Sequence, residues 1–125
     1  MKKVILVLMM IAIVSPGFAY QVDPWTTQDT VLQLTAVSTI MIDAWQTWTF
    51  LHHPNFPGQS ETNPFLGTHP SNKRFFTYWG TCVIGHSIIS YILPKPLRGF
   101  WQFFWIGAEL KTIHWNYQVG VRLKI

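Results

Sequence analysis

Charge is scarce in this chain. Only 11% of its 125 residues are Asp, Glu, Lys or Arg, against 49% apolar and 16% aromatic. That balance lies on the membrane side of globular averages. Cysteine is nearly absent: Cys82 stands alone, so no intramolecular disulfide can form, and a small packing role is expected for it. Neither H-E-x-x-H nor C-x-x-C occurs, so no metal site is expected and no cofactor is implied. Internal repeats and low-complexity segments are missing too. The net charge of +4 is not gathered into a basic stripe with interleaved aromatics, which argues against nucleic acid as a partner. A chain of this length holds one domain at most.

What is present is apolar sequence in three long stretches, Val31–Leu51, Phe75–Leu93 and Leu97–Trp115. Each is long enough to cross a bilayer as a helix. Asp43, His86 and Glu109 each sit inside a different one of these stretches. At bilayer depth such a group costs roughly 2.5–3.5 kcal/mol unless it faces protein or water, so three of them imply a shared polar interior. The expected fold is all-α, a small polytopic transmembrane bundle of three mature helices.

Residues 1–19 read as a signal peptide: Lys2-Lys3, apolar Val4–Val14, then Ser15-Pro16-Gly17-Phe18-Ala19 with small residues before the cleavage point. An uncleaved first helix is the alternative, and residues 20–125 form the single domain. No cysteine stands near the site, which excludes a lipoprotein anchor.

Thr26-Thr27-Gln28-Asp29 supplies capping oxygens and an acidic first turn, so the first helix begins near Thr27. It stops at His52-His53-Pro54. The segment His52–Lys73 holds too many prolines and glycines for a regular element, although Asn63-Pro64 starts a brief turn that Gly67 ends. Ser71 caps the second helix, Pro94 and Pro96 separate it from the third, and the third fades around Tyr117. Lys2, Lys3, Lys73, Arg74, Lys111, Arg122 and Lys124 fall on one side of the expected bundle, and Lys95 and Arg98 on the other. The positive-inside rule then places the chain in the bacterial inner membrane with a cytoplasmic C-terminus. The lipid bilayer is the expected partner, together with a homo-oligomer or a larger membrane complex.

Helical spacing sorts the polar residues onto faces. Asp43, Gln46 and Thr47 share one face of the first helix, extended outward by Thr39. Cys82, His86 and Ser90 form a stripe on the second, and Glu109, Thr112 and Asn116 one on the third. By helical rise Asp43 and Glu109 stand level, with His86 further outward. The candidate cluster is therefore Asp43, Gln46, Thr47, His86, Glu109 and Asn116. Three readings fit it. The groups hold the bundle together by interhelical hydrogen bonds; or they carry protons or ions; or two close carboxylates, one with a raised pKa, form a hydrolase or metal site. A second candidate site lies in the loop, at Glu61, Asn63 and His69, where Phe65-Leu66 can fold back toward the bundle and bring Glu61 along. His53 with Glu61 and His69 is a conceivable but weaker metal set.

Two strings carry a resemblance. Asp43-Ala44-Trp45-Gln46-Thr47 and Glu61-Thr62-Asn63-Pro64-Phe65-Leu66-Gly67-Thr68-His69-Pro70-Ser71 resemble a group of small uncharacterised bacterial and phage-associated integral membrane proteins. That group has D-x-x-Q-T and E-T-N-P-x-L-G-x-H-P-S elements and a later mid-helix histidine, which His86 matches. The resemblance implies the membrane class and favours Asp43, Gln46, Glu61, Asn63 and His86; it implies no activity. The expectation is a small inner-membrane protein whose polar cluster organises helix packing or a complex, with a proton-linked or acid–base catalytic protein as the alternative.

Overall fold

The computed structural model describes residues 22–52, 61 and 63–121. The chain is all-α over these residues, with three helices and no strand among them: α1 (Thr27–His52), α2 (Asn72–Ile92) and α3 (Lys95–Gln118). The expected signal segment and His53 lie outside the described residues.

Local chemistry sets the helix ends. Thr26 Oγ1 accepts from the Asp29 backbone N–H at 3.2 Å, and Asp29 Oδ2 accepts from the Thr26 N–H at 2.8 Å and its hydroxyl at 2.7 Å. This reciprocal capping pair satisfies donors that the first turn leaves open. Ser71 Oγ accepts from Arg74 N to cap α2. Pro94 and Pro96 divide α2 from α3, and α3 closes through Gly120 (φ +95°), with Val121 N donating to the Asn116 carbonyl at 2.9 Å.

α1 packs most extensively against α3. The apolar core is small: Ile40, Leu66, Phe75 and Trp79, with Ala36, Leu93 and Val121 buried elsewhere. Leu66 is delivered to it by the turn that follows Asn63, whose carbonyl accepts from Leu66 N and Gly67 N. Of the loop's apolar tip only Leu66 folds inward; Phe65 is exposed. Gly67 has φ +79°, and a Cβ there would stand 3.3 Å from Arg74 Nη1. Gly67→Ala is therefore expected to cost about 1–2 kcal/mol, measured as a lower urea midpoint at unchanged slope.

The membrane expectation is overturned. No helix among the described residues is long and apolar enough to cross a membrane, so the transmembrane bundle, the inner-membrane location and the cytoplasmic C-terminus are withdrawn. Length is not the shortfall, since α1, α2 and α3 run to 26, 21 and 24 residues. Apolarity is. Thr, Trp, Tyr and Gly are interspersed through the stretches, and hydroxyls and indole or phenol groups bring polar atoms that cost free energy to desolvate. The distribution of side chains is nonetheless unusual. Asp29, Asp43, Gln46, His86, Arg98, Gln102 and Glu109 are buried, while Met41, Trp45, Phe76, Ile84 and Phe100 are exposed. Met41, Trp45, Phe76 and Ile84 line an apolar groove of about 730 Å³ between α1 and α2.

Candidate functional site

The interior polar groups fall into two networks. The first surrounds a cavity of about 420 Å³ bounded by α1, α2, α3, the 61–66 loop and the closing turn of α3. Asp43, Gln46 and Thr47 reach it from α1, Glu109, Thr112 and Asn116 from α3, and Glu61 and Asn63 from the loop. Asn116 ties the first two sets together: its Nδ2 donates to Asp43 Oδ1 at 2.8 Å and to Gln46 Oε1 at 3.2 Å. Gln46 Nε2 returns a bond to the Ile113 carbonyl at 3.4 Å. The Val121–Asn116 backbone bond places Asn116 for this role.

The loop is held at the rim by its own hydrogen bonds. Glu61 N donates to the Thr68 carbonyl, and Glu61 Oε1 accepts from Asn63 N at 2.8 Å. Asn63 Oδ1 accepts from Phe65 N, and Asn63 Nδ2 donates to the Tyr78 hydroxyl at 2.7 Å. Tyr78 is itself half-buried, and that burial pushes its pKa up to about 12, so it stays protonated. His69 is exposed and does not line the cavity.

The electrostatics centre on two carboxyl groups. Burial pushes Asp43 up to about 6, assisted by the negative charge of Glu61 and opposed by hydrogen bonds from Asn116 and Glu109. Glu109 is pushed to about 7, first by burial and then by Asp43, to which it is hydrogen-bonded. Glu109 is thus the proton donor of the pair and Asp43 the acceptor. Two neighbouring carboxyls in a low-dielectric site share one proton rather than both ionising. No Lys, Arg or His lines the cavity among the described residues. Cys82 stands on the wall, and burial raises its pKa, keeping it a thiol.

The second network contains His86, which the sequence analysis grouped with the carboxylates. His86 does not line the cavity. Gln33 Nε2 donates to His86 Nδ1 at 3.2 Å and to Ser87 Oγ at 2.9 Å, while Gln33 Oε1 accepts from Gln102 Nε2 at 3.3 Å. The amide orientation so defined makes Nδ1 an acceptor and leaves the His86 proton on Nε2. The ring stacks on Trp101 and meets Trp105 edge-on. Burial pulls its pKa down to about 4, so it is neutral at physiological pH.

Above His86 lies the feature that sequence reading missed. Arg98, placed there only with Lys95 on one side of the expected bundle, is completely buried. Its guanidinium donates to Asp29 Oδ2 at 3.0 Å and to the carbonyls of Ser90, Asp23 and Pro24. Trp25 lies against it at 5.0 Å. Burial alone would raise Asp29, but the hydrogen bonds from Thr26 and Arg98 outweigh it and hold the carboxyl below its usual range. A signal was available: Arg98, Gln102, Trp105, Glu109, Thr112 and Asn116 form one continuous stripe at helical spacing along α3.

Among the described residues, no three His, Cys, Asp or Glu side chains are grouped to hold a metal ion. Comparison with known proteins adds nothing further: no family model, no curated protein and no solved structure matches the chain. The function must be argued from the two networks themselves.

Proposed function

We propose that the cavity is an acid–base site for a small molecule, with Asp43 as proton acceptor and Glu109 as proton donor. The observation that carries this reading is that Asp43 and Glu109 both face a cavity of about 420 Å³ that no described cation lines. Burying two acids without a counter-charge is costly, and proteins retain that cost mainly where a site needs it. The raised values of about 6 and about 7 put both protonation states within reach near neutral pH, the condition for efficient proton transfer. Asn116 positions Asp43, Glu61 adds negative charge at the rim, and Tyr78 anchors the loop that carries it.

A ¹³C titration of the side-chain carboxyls tests the pairing directly. Two apparent steps well above the ordinary carboxylate range are expected, and Asp43→Asn should lower the Glu109 step, because the neighbouring charge that helps to raise it is gone. Ordinary values near ~4 for both groups would end the proposal.

A second reading is structural, and the Asn116 bridge favours it: one amide joins α1 to α3 through Asp43 and Gln46. Here the cluster organises helix packing and nothing else. Asn116→Ala separates the two readings. A structural cluster predicts a loss of about 1–3 kcal/mol with Asp43 and Glu109 titrating in the ordinary carboxylate range before and after the change. An acid–base site predicts that the Asp43 step moves upward as well, because the donor that favours its charged form is gone.

A further inference from the structure

We propose that the apolar groove between α1 and α2 docks a second copy of this chain, the two copies meeting face to face about a two-fold axis. The groove shares only Trp79 with the carboxyl cavity, so the proposal stands apart from the acid–base reading.

Buried Ile40 and Phe75 lie in the groove, and exposed Met41, Trp45, Phe76 and Ile84 line it as well. No Asp, Glu, Lys, Arg or His lines it among the described residues. Helical spacing extends the same face toward the start of α1. Leu34 stands two turns from Met41, and Ile88 one turn from Ile84 on α2. The two are level, because Gln33 Nε2 donates to Ser87 Oγ at 2.9 Å, each one residue before them.

The area open on this face decides the kind of partner. Leu34, Met41, Trp45, Phe76, Ile84 and Ile88 are between 56% and 63% exposed. On side chains of this size that leaves roughly 700 Å² of apolar surface in water. The largest patch on a typical monomer is about 300–600 Å², whereas each partner in a stable complex buries about 800 Å². The face is thus large enough for a dimer and larger than a monomer ordinarily leaves open. Its composition, aromatic and methionine-bearing without charge, is that of a homodimer centre.

A face without charge matches a partner face equally without charge, and this chain carries one. An isologous contact also needs a surface that is its own complement. Projection and hollow lie together here: exposed Trp45 and Phe76 stand beside a space of about 730 Å³. Gly80 lines that space, and a Cβ built on it would meet no atom within 4 Å. The large side chains of one copy therefore have room to enter the hollow of the other. α3 exposes apolar side chains too, but Phe100 and Phe104 stack on each other and line neither hollow.

Sedimentation equilibrium of the full chain in detergent-free buffer tests this. A species of twice the chain mass is expected, with a dissociation constant in the micromolar range or tighter. Gly80→Leu fills the hollow and should weaken the dimer at least tenfold. Its new side chain begins in open space, so the helical circular dichroism should be kept. Trp45→Glu puts a charge on the face and should weaken the dimer as much; if that variant does not fold, Gly80→Leu decides alone. Phe104→Glu, off the face on α3, should leave the dissociation constant unchanged. A chain that stays monomeric at every concentration, its own N-terminal segment covering the groove included, would overturn the inference. So would a dimer indifferent to Gly80→Leu, a dimer that Phe104→Glu dissociates, or association seen only with added phosphatidylcholine vesicles, which would make a lipid surface the occupant.

Discussion

Arg98→Ala is expected to be the most damaging single substitution in the described chain, costing about 3–5 kcal/mol. Arg98 has no exposure to solvent, and four acceptors surround it: Asp29 Oδ2 and the carbonyls of Ser90, Asp23 and Pro24. Truncation removes the charge, strands the three carbonyls and leaves Asp29 Oδ2 with only its bonds from Thr26. A nearly buried carboxylate without its counter-charge is far costlier than a broken surface pair. The lead that precedes α1 would also lose its bonds from Arg98 and keep the one from Lys95 N to Asp23 Oδ2. Denaturant unfolding with the midpoint as readout checks this. Adding Asp29→Asn to Arg98→Ala should recover only part of the loss, because the three carbonyls stay unpaired. Full recovery would mean that the ion pair alone matters, and a loss under about 1 kcal/mol, as for an exposed pair, would mean that the burial of Arg98 is wrong.

Asp43→Asn has the opposite sign at neutral and alkaline pH. The folded-state pKa of Asp43 is raised from 3.8 to about 6, and that of Glu109 from 4.5 to about 7. Between the unfolded and folded values the native state binds more protons, so stability falls as pH rises from about 4 to about 7 and stays low above that. His86 opposes this. Its pKa is lowered from 6.5 to about 4, so its contribution is lost as pH falls through that interval. The acids outnumber it, and the wild-type protein should lose stability on going from pH 5 to pH 8. Asn at position 43 removes one buried charge and keeps an acceptor for Asn116. At pH 8 it should raise stability by about 3 kcal/mol, or a Tm roughly 10 °C higher, with the advantage shrinking toward pH 4. Calorimetry at pH 4, 6 and 8 measures it. A variant less stable than wild type at pH 8 would show that ionised Asp43 is a net stabiliser, contrary to the buried-pair reading. A stabilised variant that has also lost its carboxyl titration would match the usual exchange between stability and a working site.

The helix limits were legible because the chemistry that sets them is local. Thr26 to Asp29, Ser71 with Arg74, and Pro94 with Pro96 each act within a turn of the boundary they define. Periodicity also carried the facing of Asp43, Gln46 and Thr47 on one helix and Glu109 and Asn116 on another, since a face is a property of spacing alone. The loop turn at Asn63-Pro64 and its end at Gly67 belong to the same class. The membrane reading rested on the length of the three stretches and failed on their apolarity, which threonine, glycine and the indole rings within them lower.

Other features depended on how the helices sit against one another. His86 shares a helix stripe with Cys82, yet its ring belongs with Gln33 and Gln102, whereas the Cys82 stripe position opens on the carboxylate cavity. Arg98 is separated from Asp29 by 69 positions, and nothing in either neighbourhood announces the pair. Spacing along one helix determines which residues share a face. The rotation and axial offset between helices determine which faces meet, and those come only from packing among residues remote in the chain. The sequence by itself therefore determined three helices, their ends and their polar faces. The tertiary structure alone decided that Asp43 and Glu109 face one cavity, that His86 does not join them, and that Arg98 is inside.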